Sequence, residues 1–175
     1  MCRYGALIVL SILIFYSANG CNGSLQDVLS PEVNDTTFTD KAKTIRTTIP
    51  AGSITNTIFA DEIDTYIFEW QDKQIITSHI EIQFQSLSKA RDHLAPDYES
   101  YFQKKCECVI LKKGWILIAN QKGREFQYAI QNKFGVDRIF RWKDWRIQIH
   151  GMAPTEYQEL LKQRLSVIQQ NLQLL

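Results

Sequence analysis

Three cysteines stand where their thiols could form covalent bonds. Cys21 follows the apolar run "GALIVLSILIFY" and the small residues of "SANG". A cysteine at that place is one that a diacylglyceryl group modifies, or it is the first residue left after a signal peptide is cleaved. The sequence predicts acylation, because an acylated Cys21 leaves an even number of thiols, Cys106 and Cys108, in the exported chain.

The two cysteines of "CEC" could be free thiols, a disulfide or metal ligands. Cys106 and Cys108 are two residues apart, hence on one side of a strand, and the sequence predicts two buried thiols beside Ile110. A local disulfide is the alternative, although a bridge between residues i and i+2 across a pleat is strained. The three histidines are scattered along the chain and no second CxC or CxxC exists, so neither a metal nor a cofactor is predicted.

The stretch "RIFRWKDWRIQIH" combines cations with large flat rings. Such a combination suits anionic ligands, sugars and cation–π contacts. The candidate recognition surface consists of Arg138, Arg141, Trp142, Trp145 and Arg146. A structural role is the alternative, since a turn at Lys143 and Asp144 would set the two tryptophans opposite each other as a cross-strand pair.

The motif "GRE" ends in a glutamate that begins a predicted strand. Glu125 is expected to pair with an arginine of the neighbouring strand, such as Arg138, rather than to act as a catalytic acid, which would require a second carboxylate or a histidine in a cleft. No GxSxG elbow, P-loop, HExxH or dinucleotide fingerprint occurs. The sequence therefore predicts no catalytic residues and a protein that is not an enzyme.

The chain that carries these residues divides into three parts. Residues 1–20 read as a signal peptide, because the apolar run is shorter than the ~20 residues that cross a bilayer. Residues 21–43 are polar and acidic, and we predict a flexible tether there; a loop that packs back through Phe38 is the alternative. Residues 44–175 are long enough for one domain with its own core.

Charge is uneven along the sequence. Removal of residues 1–20 takes away Arg3 and leaves a formal balance of zero, yet Lys104 to Arg146 contain eleven basic and four acidic residues. With no net positive charge on the exported chain, nucleic acid is not a predicted partner.

Alternating apolar residues predict an antiparallel sheet. Tyr66, Phe68 and Trp70 share one side of a strand, and "IITSHIEIQFQ" alternates in the same way. Further strands follow after residue 105, with turns predicted at Lys113-Gly114, Lys122-Gly123, Phe134-Gly135 and Lys143-Asp144. Helices are predicted over 87–105, broken at Pro96, and from Thr155, where a capping box begins an apolar stripe.

The order of elements and a local motif resemble the exported PsbP-like family. The resemblance rests on "KGREFQY" at 122–128, "DRIFRW" at 137–142 and "WRIQIHG" at 145–151. The apolar stripe of the last helix must be buried, and the apolar side of the sheet can cover it, which predicts an α+β fold, an antiparallel meander with helices packed on one face of the sheet. The resemblance implies the PsbP-like form of this sandwich. It also implies a compact envelope domain that binds or assists larger assemblies without catalysis.

Three functions follow as hypotheses. The first is a non-catalytic lipoprotein of the cell envelope, anchored in a membrane, facing the periplasm or exterior, and binding another envelope protein. The second is an immunity-type inhibitor of a delivered toxin. The third is a small-ligand carrier or hydrolase with a sizeable pocket between sheet and helix, whereas the first two predict a filled core. Ordinary secretion is the alternative to the lipid anchor.

Overall fold

The computed structural model of the chain describes residues 35–60 and 63–175. The signal peptide and the acylation of Cys21 concern residues outside this part. The strands are β1 Thr36–Thr39, β2 Ile45–Ile49, β3 Ile54–Ala60, β4 Ile63–Asp72, β5 Ile75–Ser86, β6 Val109–Ile118, β7 Gln121–Ile130, β8 Lys133–Trp142, β9 Trp145–Pro154 and β10 Gln173–Leu174. The helices are α1 Tyr98–Cys106 and α2 Gln158–Gln170, the latter preceded by a 3-10 turn at Thr155–Tyr157.

Seven strands form one antiparallel sheet in the order β3-β4-β5-β9-β8-β7-β6. Two meanders, β3 to β5 and β6 to β9, join where β9 pairs with β5 and sets Ile149 opposite Ile82. Period-two alternation along β4 and β5 buries Tyr66, Phe68 and Trp70 beside Ile80, Ile82 and Phe84. The predicted antiparallel meander and its apolar side are confirmed.

Helix α2 covers that apolar side. Leu161, Leu165 and Ile168 are completely buried against it and belong to the main core of the protein. Arg164 interrupts the stripe, but its guanidinium lies 4.6 Å from the centre of the Trp70 ring and donates to Ser78 Oγ at 2.7 Å. We call this side of the sheet the α2 face.

Helix α1 packs on the opposite side, the α1 face. Tyr98 and Phe102 form a second buried cluster with Phe126, Tyr128 and Ile139, and the Phe102 and Phe126 rings stack 4.4 Å apart. The expectation that both helices pack on one face is therefore wrong. Strands β7 and β8 carry apolar residues on both sides, and each side needs a cover. The fold is richer in sheet than predicted.

The predicted helix over 87–105 begins only at Tyr98. Residues 87–97 form turns instead, and the Asp92 carboxylate accepts the backbone N–H of Leu94 at 2.8 Å. Pro96 has no N–H for a helical hydrogen bond, which leaves the residues before it outside the helix. At the second helix, Thr155 does not form a capping box, because its hydroxyl donates to the carbonyl of Asn132 at 2.9 Å.

A small sheet of β1, β2 and β10 stands beside the main core. Strand β1 lies inside the predicted flexible tether, so the tether boundary at residue 43 is wrong, and Phe38 packs edge-on against Tyr66 with ring centres 4.9 Å apart. The buried carboxylate of Asp40 then accepts the backbone N–H groups of Ala42, Thr44 and Ile45 at 2.6 to 2.9 Å. Three hydrogen bonds to one carboxylate fix the bend between β1 and β2.

Three of the four predicted turns are wrong. Gly114, Gly123 and Gly135 lie inside β6, β7 and β8, and of the four predicted turns only the one at Lys143-Asp144 is confirmed. The hairpins turn instead at residues such as Ala119 and Asn120, which adopt φ of 46° and 65°. Backbone with φ near +50° is unusual for such residues, so the sequence carried no glycine signal there.

Candidate functional site

The structure divides the predicted recognition residues between the two faces of the sheet. Trp142 and Trp145 pack against the main core, and Arg138 donates to the Leu165 carbonyl of α2 at 3.1 Å. Arg141 and Arg146 are each adjacent in sequence to one of the two tryptophans, so their side chains point to the opposite side of the sheet, the α1 face. The five residues do not form one surface, because side chains of a strand alternate.

The tryptophans are direct cross-strand partners at the end of the β8–β9 hairpin. The Trp142 indole N–H donates to the Leu175 carbonyl at 3.4 Å, and Lys143 Nζ donates to the same oxygen at 2.6 Å. Both rings are partly buried against the core. Their contacts are those of a structural pair.

Glu125 and Arg138 are also cross-strand partners, as predicted. Arg138 Nε donates to Glu125 Oε2 at 2.9 Å, with 11% and 12% of the two side chains exposed. Glu125 Oε1 accepts from Gln127 Nε2 as well. The glutamate is held as one partner of a buried ion pair, where it fixes the register of β7 against β8.

Cys106 and Cys108 are joined by a disulfide, with their Cα atoms 5.1 Å apart. They do not share a strand face, because Cys106 is the last residue of α1 and β6 begins only at Val109. Glu107 between them adopts a left-handed φ of 52°, which turns the chain out of the helix. The disulfide therefore ties the end of α1 to the start of β6.

A row of polar side chains crosses β4 and β5 on the α1 face. His79 lies between two carboxylates, with Nδ1 2.8 Å from Glu69 Oε1 and Nε2 2.7 Å from Glu81 Oε1. The hydrogen bond with Glu81 raises the pKa of His79 against the lowering effect of burial, and Glu69 raises it further. The same contact with His79 lowers the pKa of Glu81.

Asp137 lies deeper on the same face and is only 2% exposed. Its carboxylate accepts from Gln148 Nε2, and its other oxygen is 3.2 Å from His150 Nδ1. Burial lowers the pKa of His150, but the neighbouring Asp137 carboxylate and Glu81 reverse that effect and raise it. Burial raises the pKa of Tyr128, whose hydroxyl is 3.3 Å from the same His150 nitrogen.

These groups form one wall of a cavity of about 170 Å³ beside helix α1, which we call the α1 pocket. Its opposite wall consists of helix side chains, including Tyr98, Tyr101 and Phe102. Arg146 and Lys105 supply positive charge, and Asp137 is the carboxylate at its floor. Aromatic walls with a few convergent polar groups are typical of a binding pocket.

Three arginines meet around a buried histidine next to this pocket. His93 is 0% exposed and, among the described residues, neither of its ring nitrogens has a hydrogen-bond partner. Burial and then the nearby Arg141, Arg146 and Arg124 lower the pKa of His93 to about 4, against Asp92, which raises it. His93 is therefore neutral at pH 7, and the cluster is cationic through its arginines.

Strand β6 forms one edge of the large sheet and exposes large apolar side chains. The exposed fractions are 65% for Val109, 58% for Leu111, 51% for Trp115 and 68% for Leu117. Lys122 Nζ and the Arg124 guanidinium lie 4.3 and 4.5 Å from the centre of the Trp115 ring. The bulge at Leu111 leaves Val109 on the α2 face and Trp115 and Leu117 on the α1 face. We call these six residues, along one edge of the sheet, the β6 patch.

A second cavity of about 190 Å³ adjoins the β6 patch, between Trp115, Arg124 and Glu99. Both cavities are smaller than the ~300 Å³ at which ordinary small-molecule sites begin. Over residues 35–60 and 63–175, no three His, Cys, Asp or Glu side chains are grouped to hold a metal ion. In the same part of the chain, neither helix has the length and apolar character needed to cross a bilayer.

Sequence reasoning missed both the arginine cluster and the β6 patch. Arg124, Arg141 and Arg146 come from three neighbouring strands, and only the register of those strands brings them together. For the β6 patch a signal existed, since "VILKKGWILI" is apolar on both sides, but the false turn at Gly114 divided it into two strands. Both features depend on how strands are paired and ordered in the whole sheet, which the pattern of a single strand does not show.

Comparison with known proteins identifies the fold. The solution structure of cyanobacterial PsbP (CyanoP) from Synechocystis sp. PCC 6803 superimposes with a TM-score of 0.66 at 9% identity, over 91% of this chain and 99% of that chain. No protein-family model and no curated protein matches the sequence. The predicted PsbP-like fold is confirmed.

Proposed function

We propose that this chain is an exported, non-catalytic accessory domain, held at a membrane by an acylated Cys21, that binds another protein of the cell envelope. The β6 patch is the observation that carries the proposal. Edge strands of soluble proteins are normally protected by charge, by a short length or by a cover. Here a ten-residue edge strand has four large apolar side chains that are each more than half exposed.

The charge around the patch indicates the chemistry of the partner. Lys112 and Lys113 lie on β6 itself, Lys122 and Arg124 flank Trp115, and Lys104 and Lys105 end helix α1. Glu99 neutralises Lys113. A partner that presents apolar side chains with acidic neighbours is complementary to this surface.

The filled core supports binding of a protein over transport of a ligand. The α2 face is packed by completely buried residues, among them Phe140, Ile147 and Leu165. The cavities on the α1 face are too small for a drug-sized substrate. Glu125, the carboxylate of the motif, is already neutralised by Arg138.

The export part of the proposal rests on the sequence. An apolar run followed by small residues and Cys21 is typical of a lipid-anchored exported protein, and the PsbP-like resemblance implies an envelope domain. Cys21→Ala should move the protein from the membrane fraction to the soluble fraction of the envelope. Unchanged membrane association of Cys21→Ala would refute the anchor.

The protein partner is tested by affinity capture from solubilised envelope. Wild type should recover one stoichiometric protein, and a Trp115→Ser, Leu117→Ser double variant should recover at least about tenfold less of it, as expected when central apolar contacts are lost. The matched control is Ile54→Ser, Ile58→Ser on edge strand β3, where the exposed fractions are 53% and 52%. Equal recovery by both double variants would contradict binding through β6.

A further inference from the structure

The arginine cluster on the α1 face brings like charges together where a fold normally avoids them. Arg141 and Arg146 are direct partners across the β8–β9 ladder, and Arg124 projects from β7 on the same face. Residues that face each other across a ladder have Cβ atoms about 5 Å apart, and like charges in that position are destabilising. An anion between these side chains removes the repulsion.

Burial increases the need for a counter-charge. Arg146 is 7% exposed, and the Nε atoms of Arg124, Arg141 and Arg146 are buried and have no hydrogen-bond partner among the described residues. Guanidinium N–H groups that have lost water without gaining an acceptor cost free energy. The three Nε groups lie near His93, whose two ring nitrogens also have no hydrogen-bond partner in the residues that the structure describes. Together they are the largest group of buried polar atoms without a hydrogen bond in the described part of the chain.

The acceptors already present do not satisfy the cluster. Asp92 Oδ1 accepts from Arg141 Nη2 at 2.6 Å, the Ala95 carbonyl accepts from Arg124 Nη2 at 3.3 Å, and Gln148 Oε1 accepts from Arg146 Nη2 at 2.8 Å. Each of these bonds uses a terminal nitrogen and leaves Nε free. The nearby Asp137 carboxylate is held by Gln148 and His150.

We infer that Arg146, the member of the cluster that lines the α1 pocket, binds a small oxyanion, a carboxylate or a phosphate, that enters this pocket. Guanidinium groups bind these anions by paired N–H donors. The pocket limits the ligand to a small one, since its volume is about 170 Å³. The aromatic walls from Tyr98, Tyr101 and Phe102 admit an apolar portion of that size.

The α1 pocket is separate from the exposed β6 side chains, although Arg124 belongs to both the arginine cluster and the β6 patch. None of the exposed β6 side chains lines the α1 pocket, whereas Trp115 and Arg124 both line the second cavity. The anion has two sources, a free ion or an acidic side chain of a protein. Both present the same oxygens to Arg146, and the experiment separates them.

The test is thermal unfolding of the full chain, titrated with inorganic phosphate and, separately, with a capped peptide that carries one glutamate. Sodium chloride holds the ionic strength constant. A ligand that binds only the folded state raises the midpoint in proportion to RT ln(1 + [L]/Kd). We expect the midpoint to rise with this logarithmic dependence on ligand concentration. A response to phosphate alone identifies a free ion as the ligand, and a response to the peptide alone identifies an acidic side chain. A response to both shows that the site takes either source.

Arg146→Gln should weaken the effective ligand at least about tenfold, the loss expected for a charge-assisted hydrogen bond. The matched control is Lys133→Gln, which removes one positive charge from the exposed start of β8. It should leave the affinity unchanged. A glutamine-containing version of the peptide should have no effect.

Three results would overturn the inference. They are a wild-type midpoint that does not respond to either ligand up to ~10 mM, which is weaker binding than at typical specific sites, a rise that stays linear in ligand concentration instead of following the logarithm, and equal weakening by Lys133→Gln. Because the first two are measured on wild type, they stand even where Arg146→Gln fails to fold.

Discussion

Charged residues on both faces of the sheet are arranged as buried or half-buried pairs. Glu125 meets Arg138, His79 meets Glu69 and Glu81, and Asp92 meets Arg141. Such pairs contribute register and orientation more than raw stability, since desolvation offsets much of the Coulomb attraction. The consequences are measurable when one partner is removed.

Glu125→Ala should destabilise the protein by about 3 kcal/mol, because it leaves the Arg138 guanidinium buried with only the Leu165 carbonyl as acceptor. Urea denaturation measures the loss. The double variant Glu125→Leu, Arg138→Met should regain most of the stability, because it leaves no unpaired charge. A double variant as unstable as Glu125→Ala would show that the pair itself is needed.

His79 should make stability depend on pH. Its pKa is raised in the folded state, so its contribution is complete below the unfolded value near 6.5 and is lost as the pH rises through the raised value. The pKa of Glu81 is lowered, so its contribution is present above about 4.5 and is lost as the pH falls. The unfolding free energy of wild type minus that of His79→Gln should be larger at pH 5.5 than at pH 8.5, on the order of 1 kcal/mol. A difference that is constant with pH would contradict it.

At the scale of elements, glycines inside strands mark close contacts rather than turns. A Cβ built on Gly135 would lie 2.3 Å from the Tyr128 ring, and one on Gly123 would lie 2.6 Å from the Ile139 carbonyl. Rings and backbone therefore occupy the space that a side chain would take. The hairpins of β6 to β9 therefore depend on the absence of a side chain at Gly123 and Gly135.

Gly135→Ala should cost about 3 kcal/mol, because the Tyr128 ring has to leave its place between β8 and α1. Gly114→Ala is the matched control in strand β6, where nothing lies within 4 Å of the added Cβ. It should be neutral or stabilise by up to about 1 kcal/mol. Thermal unfolding compares the two, and equal destabilisation would refute the role of Tyr128.

Elements could be predicted from the sequence wherever alternation was strong. β4, β5 and the strands from β7 to β9 follow from period-two runs, and α2 follows from its apolar stripe. The strands β1, β2 and β10 were missed because four, five and two residues are too short to show a period. The arginine cluster was missed because it arises from register, which local patterns do not determine.

At the scale of the whole molecule, the domain begins earlier than its composition indicates. β1 and Asp40 belong to the fold, although residues 21–43 are polar. A chain that starts at residue 35 should unfold at nearly the wild-type temperature. A chain that starts at residue 44 should lose several kcal/mol, since it lacks Phe38 and leaves the N–H groups of Thr44 and Ile45 without their acceptor. Circular dichroism melts of the two chains measure the difference, and identical melts would restore the boundary at 43.

The small sheet also has a consequence for biosynthesis. Strand β2 pairs with β1 on one side and with Gln173–Leu174 on the other. The small sheet therefore joins the two ends of the domain, which are about 130 residues apart in sequence and form a long loop to close. A nascent chain that leaves the ribosome with its amino end first has no β10 until synthesis has reached residue 174. Until then the domain lacks strand β10, which follows α2 and pairs with β2. The three-stranded sheet can therefore be completed only after nearly all of the domain has been synthesised.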